Sequence, residues 1–175
     1  MRNLALVVIF LVGCSSFFKK TEPNFSFQKI EQMKVGKTTL PEITENLGKP
    51  AKITYDSGKE IWTYRDRNTD YQRLTITFDS SFVLQSIVWL PLPHEDEIYL
   101  EKIKAHFPQA NFKQIPGPDN PHSISSMVSY VEETLGMIVV YQKERNAVEA
   151  VVWTDSTRSP ATFVELSGPY TIDNM

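Results

Sequence analysis

One pattern, stated twice, limits what this chain can fold into more than any other. Residues 74–89 read Leu-Thr-Ile-Thr-Phe-Asp-Ser-Ser-Phe-Val-Leu-Gln-Ser-Ile-Val-Trp. Leu74, Ile76 and Phe78 alternate with Thr75 and Thr77, the period of a strand with one buried face. Asp79, Ser80 and Ser81 supply a turn, and residues 83–89 return as a second β-rich run, so the unit predicts a β-hairpin. The pattern recurs about 60 residues later. Met137, Val139 and Tyr141 stand where Leu74, Ile76 and Phe78 stood. Ala147, Glu149, Val151 and Trp153 take the places of Val83, Gln85, Ile87 and Trp89. Val148, Ala150 and Val152 match Leu84, Ser86 and Val88 on the other face, and the second turn is one residue longer. Two hairpins with one pattern, each closed by Trp, point to an internal duplication; the plainer alternative is two unrelated amphipathic hairpins.

Short elements surround both hairpins. Phe27, Ile30 and Met33 recur at helical spacing before Gly36. Thr39-Leu40-Pro41-Glu42 has capping-box form, and Leu40, Ile43 and Leu47 make one face of a second helix stopped by Gly48. Residues 52–56 and 60–65 predict strands around Ser57-Gly58. Residues 25–90 thus form one module of two helices and four strands. The linker Leu90-Pro91-Leu92-Pro93 leads to a second module, residues 94–154. It has one helix (Leu100, Ile103, Phe107), strands at 111–115 and 127–133, and the second hairpin, with a breaker-rich loop at 116–122. Residues 155–175 read as a tail. The predicted fold is α+β: two tandem modules of short helices packed on an antiparallel sheet. The short linker implies that the modules share one sheet or pack closely.

The start of the chain reads as an address. Arg2 precedes the apolar run 4–12, which falls short of the roughly 20 residues that span a bilayer. The run ends in Leu11-Val12-Gly13-Cys14, which resembles a bacterial lipobox. That resemblance implies a signal peptide at 1–13, cleavage before Cys14, and diacylglycerol and fatty-acyl (palmitate) chains on Cys14. Ser15, rather than Asp, resembles the outer-membrane sorting class. Cys14 is the one cysteine of 175 residues, so no disulfide can form within a monomer. Polar residues 14–24 read as a lipid-anchored tether.

Charge narrows the partners. Loss of 1–13 removes only Arg2 and moves net charge from −3 to −4, which argues against nucleic acid. Residues 14–67 carry ten Lys/Arg and seven Asp/Glu, whereas 68–175 carry seven and fourteen. A basic half beside a membrane anchor favours anionic lipid; ordinary scatter of solvated charge is the other reading. No catalytic constellation emerges. His94, His106 and His122 lie in different elements, Ile98 stands where a zinc-protease motif needs its second His, and seven glycines form no phosphate loop. Glu132 and Glu133 are adjacent on a strand and point to opposite faces. No metal or cofactor is expected. Trp62, Trp89 and Trp153 read first as core. Tyr55, Tyr71 and Tyr130 are candidates for an exposed sheet face.

Several strings in order carry a family resemblance: Val35-Gly36-Lys37-Thr38, Leu47-Gly48-Lys49-Pro50, Trp62-Thr63-Tyr64, and residues 74–81 followed by Val83-Leu84. Over residues 27–88 they resemble the SmpA/OmlA (BamE-like) family of outer-membrane lipoproteins. Met usually stands in that family at the place of Lys37, and Gly at the place of Phe82. The longer architecture is similar to the tandem β-lactamase-inhibitor-protein fold. The resemblance implies a non-enzymatic scaffold or accessory subunit of outer-membrane β-barrel assembly, anchored at the periplasmic face of the outer membrane and bound to an envelope protein. It implies partner or lipid contacts at Phe25 and Arg67. Arg65, which alternates onto the strand face of Arg67, joins them because Arg holds phosphate or carboxylate bidentately. A second reading is an inhibitor or regulator that docks an exposed sheet face onto a periplasmic enzyme. A third is a small-molecule or lipid binder, which a dry apolar cavity between the modules would favour.

Overall fold

A computed structural model describes residues 27–65, 72–91, 98–115 and 127–155. The elements run α1 (Phe27–Glu31), α2 (Leu40–Leu47), β1 (Lys52–Asp56), β2 (Lys59–Arg65), β3 (Gln72–Phe78), β4 (Leu84–Trp89), α3 (Leu100–His106), β5 (Lys113–Ile115), β6 (Met127–Glu132), β7 (Met137–Gln142) and β8 (Ala147–Thr154). The eight strands among the described residues belong to one antiparallel sheet in the order β1-β2-β3-β4-β8-β7-β6-β5.

This corrects the expected fold class. The described residues are 19% helical and 47% strand, so a single sheet dominates and the three short helices among them are its accessories, in place of two tandem α+β modules. The reason lies in the last strand of each meander. β4 and β8 would each leave a free edge, and β8 is apolar on both faces, as a central strand is. Pairing them with each other removes both edges at once.

The register of that pairing is symmetric. Val88 pairs with Val152, Ile87 with Trp153 and Trp89 with Val151. In the repeat read from the sequence, Val88 and Val152 are equivalent positions, as are Ile87 and Val151, and Trp89 and Trp153. A local two-fold axis therefore passes between Val88 and Val152. The two hairpins also share an irregularity. Pairing shifts between Thr77 and Phe78, where Leu84 and Ser86 are the successive partners, and between Val140 and Tyr141, where Val148 and Ala150 are. The skipped residues, Gln85 and Glu149, are again equivalent, and bulges of this kind are designed features rather than accidents. They correct the strict alternation expected of the return strands: Leu84 and Val148 join Ile87, Trp89, Val151 and Trp153 on the core side.

The main core lies under the helices. Ile30, Met33, Ile43, Leu47, Leu100 and Ile103 from the helical segments meet Trp62, Tyr64, Leu74, Ile76, Phe78 and the hairpin residues. Each large side chain so buried contributes roughly 1.5–3 kcal/mol of transfer free energy. On the other sheet face, Val131, Ile138 and Val152 form a smaller cluster with Val88 and Ile115. α2 is anchored at both ends. The Glu42 carboxylate accepts from the Thr39 N–H (2.7 Å) and hydroxyl (2.8 Å), which holds its pKa below the ordinary carboxylate value. At the far end the buried Tyr64 hydroxyl donates to the Gly48 carbonyl at 3.1 Å. Before α2, backbone bonds tie Gly36, Thr38 and Leu40 to Leu84 and Phe82, which fixes the first two helices against β4.

Candidate functional site

The seam between the halves is closed by α1. Phe27 is the hub: its ring centroid lies 6.0 Å from Trp89, 5.9 Å from Trp153, 5.4 Å from His106 and 6.1 Å from Phe107. The Trp residues that close the two hairpins thus meet over one aromatic ring, and Trp62, Trp89 and Trp153 are all buried. Such tilted and edge-on pairs add about 0.5–1.5 kcal/mol each to area burial. His106 Nε2 sits 2.7 Å from Glu31 Oε2, joining α3 to α1.

Beside this cluster lies a cavity of about 360 Å³, walled by both halves. Met33, Val35, Phe107, Met137 and Trp153 give it apolar walls; Glu31, Lys34, Lys37 and Asp155 add charge. The size lies in the range of ligand pockets, which are mostly apolar with a few polar groups. One wall is the turn between β6 and β7, where Thr134 and Leu135 stand; Leu135 is 40% exposed.

Glu132 shapes that wall. Its side chain is buried, with 4% of the residue exposed. Its carboxylate accepts from the Leu135 N–H at 2.7 Å, from the Thr134 hydroxyl at 2.8 and 2.9 Å, and from the Asn111 N–H at 3.4 Å. Burial works against the charge, but these donors outweigh it and hold the carboxyl below its ordinary value. The turn that carries Leu135 is thereby fixed to β6. Gly136, left-handed at φ 61°, completes it and accepts from the Thr154 N–H at 2.8 Å.

The residues expected to form the site are distributed otherwise. Cys14, Phe25 and Arg67 lie outside the described residues, as do Tyr71, His94 and His122. Arg65 is exposed at the end of β2 and does not line the cavity. Tyr55 is 75% exposed on β1, with Ile53 beside it at 45%. Tyr130 is half-buried on the helix-bearing face, with Lys104 Nζ 4.5 Å from its ring centre and Tyr141 at 6.3 Å. The cavity residues were not foreseen. Met33, Val35, Leu135 and Met137 belong to two distant segments, and only the β4–β8 pairing brings those segments together. Charged residues share the lining with apolar ones, so the cavity is not wholly apolar. Among the described residues no group of three or more His, Cys, Asp or Glu is placed to hold a metal, and no helix is long and apolar enough to cross a membrane.

No family model matches the chain, and no curated protein does. Among solved structures, the chain is similar to a DUF4309 family protein (YjgB) from Bacillus subtilis subsp. subtilis str. 168. The TM-score is 0.44 and identity 11%, over 70% of this chain and 82% of that one. A likeness at that level carries no argument about function.

Proposed function

We propose that this chain is a non-enzymatic, lipid-anchored envelope lipoprotein that serves as a scaffold or accessory subunit in outer-membrane β-barrel assembly or envelope integrity. The observation that carries this reading is the seam cavity, whose lining comes from both halves and combines apolar with charged residues. An apolar anchor side chain of a protein partner fits such a site, because binding energy concentrates where a large side chain fills a desolvated pocket ringed by polar groups. The lipobox at Cys14 and the SmpA/OmlA-like strings point to the same envelope setting. Acyl chains on Cys14 would hold the protein at the membrane, since two or more chains anchor stably where one does not. The basic segment 14–67, with Phe25, Arg65 and Arg67, would lie nearest anionic lipid.

Two experiments test the reading. Cys14→Ser should leave an uncleaved precursor that no longer takes up labelled fatty acid; equal labelling of mutant and wild type removes the lipoprotein assignment. Leu135→Asp places a charge at the cavity and alters an exposed turn position. Crosslinked capture of the anchored protein should recover a β-barrel assembly component with wild type and lose it with Leu135→Asp, at an unchanged melting temperature. Equal capture with both forms rules out the cavity as the docking site.

A second reading, an inhibitor or regulator of a periplasmic enzyme, is favoured by the sheet face away from the helices. There Ile61, Thr63, Thr75, Thr77, Ser86 and Val88 are only half-buried. Recovery of a soluble hydrolase that loses activity on binding would favour it over the scaffold.

A further inference from the structure

We propose that the β1 edge is a self-association surface: two copies of this chain pair β1 with β1 antiparallel, in a register centred on Thr54, to extend the sheet across a two-fold axis. This is independent of the partner docked at the seam. Among the described residues β1 has a strand partner only in β2, and no described strand lies on its outer edge. Its middle exposes two large apolar side chains, Ile53 at 45% and Tyr55 at 75%, between the charged ends Lys52 and Asp56.

The hairpin chemistry fixes which groups point outward. β1 and β2 are joined by the two-residue turn Ser57-Gly58, with φ of 49° and 77°. Positive φ at both central residues defines a type I′ turn, whose closing pair is hydrogen-bonded. Asp56 pairs with Lys59, Thr54 with Ile61 and Lys52 with Thr63, so alternation directs the backbone groups of these β1 residues toward β2. The N–H and C=O groups of Ile53 and Tyr55 then face outward.

A second β1 can use those groups only in registers that match Ile53 and Tyr55 to outward-facing partners. Full overlap places Thr54 opposite Thr54 of the other copy, Ile53 opposite Tyr55, and Lys52 opposite Asp56. Every cross-strand pair is then complementary: opposite charges twice, and aliphatic against aromatic twice. Shifting the register by one pairing step sets Thr54 against Asp56 or Lys52 and loses both charge pairs. The arrangement is isologous, as a two-fold dimer requires. It repeats on the outer edge what β4 and β8 do at the inner one, where equivalent strands meet antiparallel across a local two-fold axis. A five-residue edge buries less than the roughly 1,200–2,000 Å² of a stable interface, so the dimer is weak and concentration-dependent.

The test uses the full chain and charge reversal. Sedimentation equilibrium should show a monomer–dimer equilibrium for wild type. Lys52→Asp and Asp56→Lys should each weaken it about fivefold by setting like charges opposite one another. The double reversal should restore it. In a Cys14→Ser background, Thr54→Cys should form an intermolecular disulfide, since facing residues of a non-hydrogen-bonded pair lie about 4.5 Å apart at Cα. Lys52→Cys alone should not, because its two copies are about 14 Å apart. A wild type that stays monomeric to about 1 mM, or a dimer indifferent to both reversals, overturns the proposal.

Discussion

Glu132 shows at the level of one residue how a buried charge can be structural. Four donor contacts surround it, from the Asn111 and Leu135 N–H groups and the Thr134 hydroxyl, and they tie the β6–β7 turn to β6. Glu132→Gln should cost about 2 kcal/mol at pH 7, because the Leu135 and Thr134 donors lose a charged acceptor. The carboxyl is depressed in the folded state, so its stabilisation is present above the ordinary value of 4.5 and lost as pH falls through the lower folded value. Denaturant titrations across pH should show that loss in wild type and a flatter profile in Glu132→Gln; parallel profiles would mean that Glu132 is not the linked group. Phe82 is the opposite case. It is 53% exposed and left-handed at φ 58°, a conformation that costs a side-chain-bearing residue roughly 1–2 kcal/mol. Phe82→Gly should therefore gain about 0.5–1 kcal/mol in chemical denaturation, after the entropy that glycine adds to the unfolded chain. A loss would show that the ring packs more than it strains.

At the scale of elements, much was legible in the sequence. The helix over Leu40–Leu47 and the strand over Lys52–Asp56 fall where capping and turn residues put them. These signals are local, so they survive without knowledge of the partner strand. What the sequence hid was non-local. The bulges at Gln85 and Glu149 break the alternation without Gly or Pro to announce them, and so hid which residues of the return strands face the core. Nothing in either hairpin says that its last strand will pair with that of the other. The cavity inherits this illegibility, since its walls meet only after that pairing. α2 offers a direct test of element docking. Tyr64→Phe removes its bond to the Gly48 carbonyl and should cost about 1 kcal/mol in urea unfolding. Burial also pushes the Tyr64 phenol above its ordinary value, so it stays protonated and donating throughout the physiological range. An unchanged midpoint would show that α2 is held by its apolar face alone.

The whole molecule rests on the claim that the two halves are one sheet, joined at Val88 and Val152 and sealed by Phe27 over Trp89 and Trp153. The seam gives the cavity its walls, so the docking proposed there would depend on the same joint. A half alone would expose the β4 edge and one side of the aromatic cluster. It would also have too small a core to be comfortably stable, because the fraction of surface buried falls with size. The most direct measurement is thermal unfolding of the chain against a form ending at Leu92. The account predicts one cooperative transition for the whole chain and a truncated form that melts far lower or fails to fold. Two separate transitions in the whole chain, or a truncated form that melts at the temperature of the whole, would contradict it.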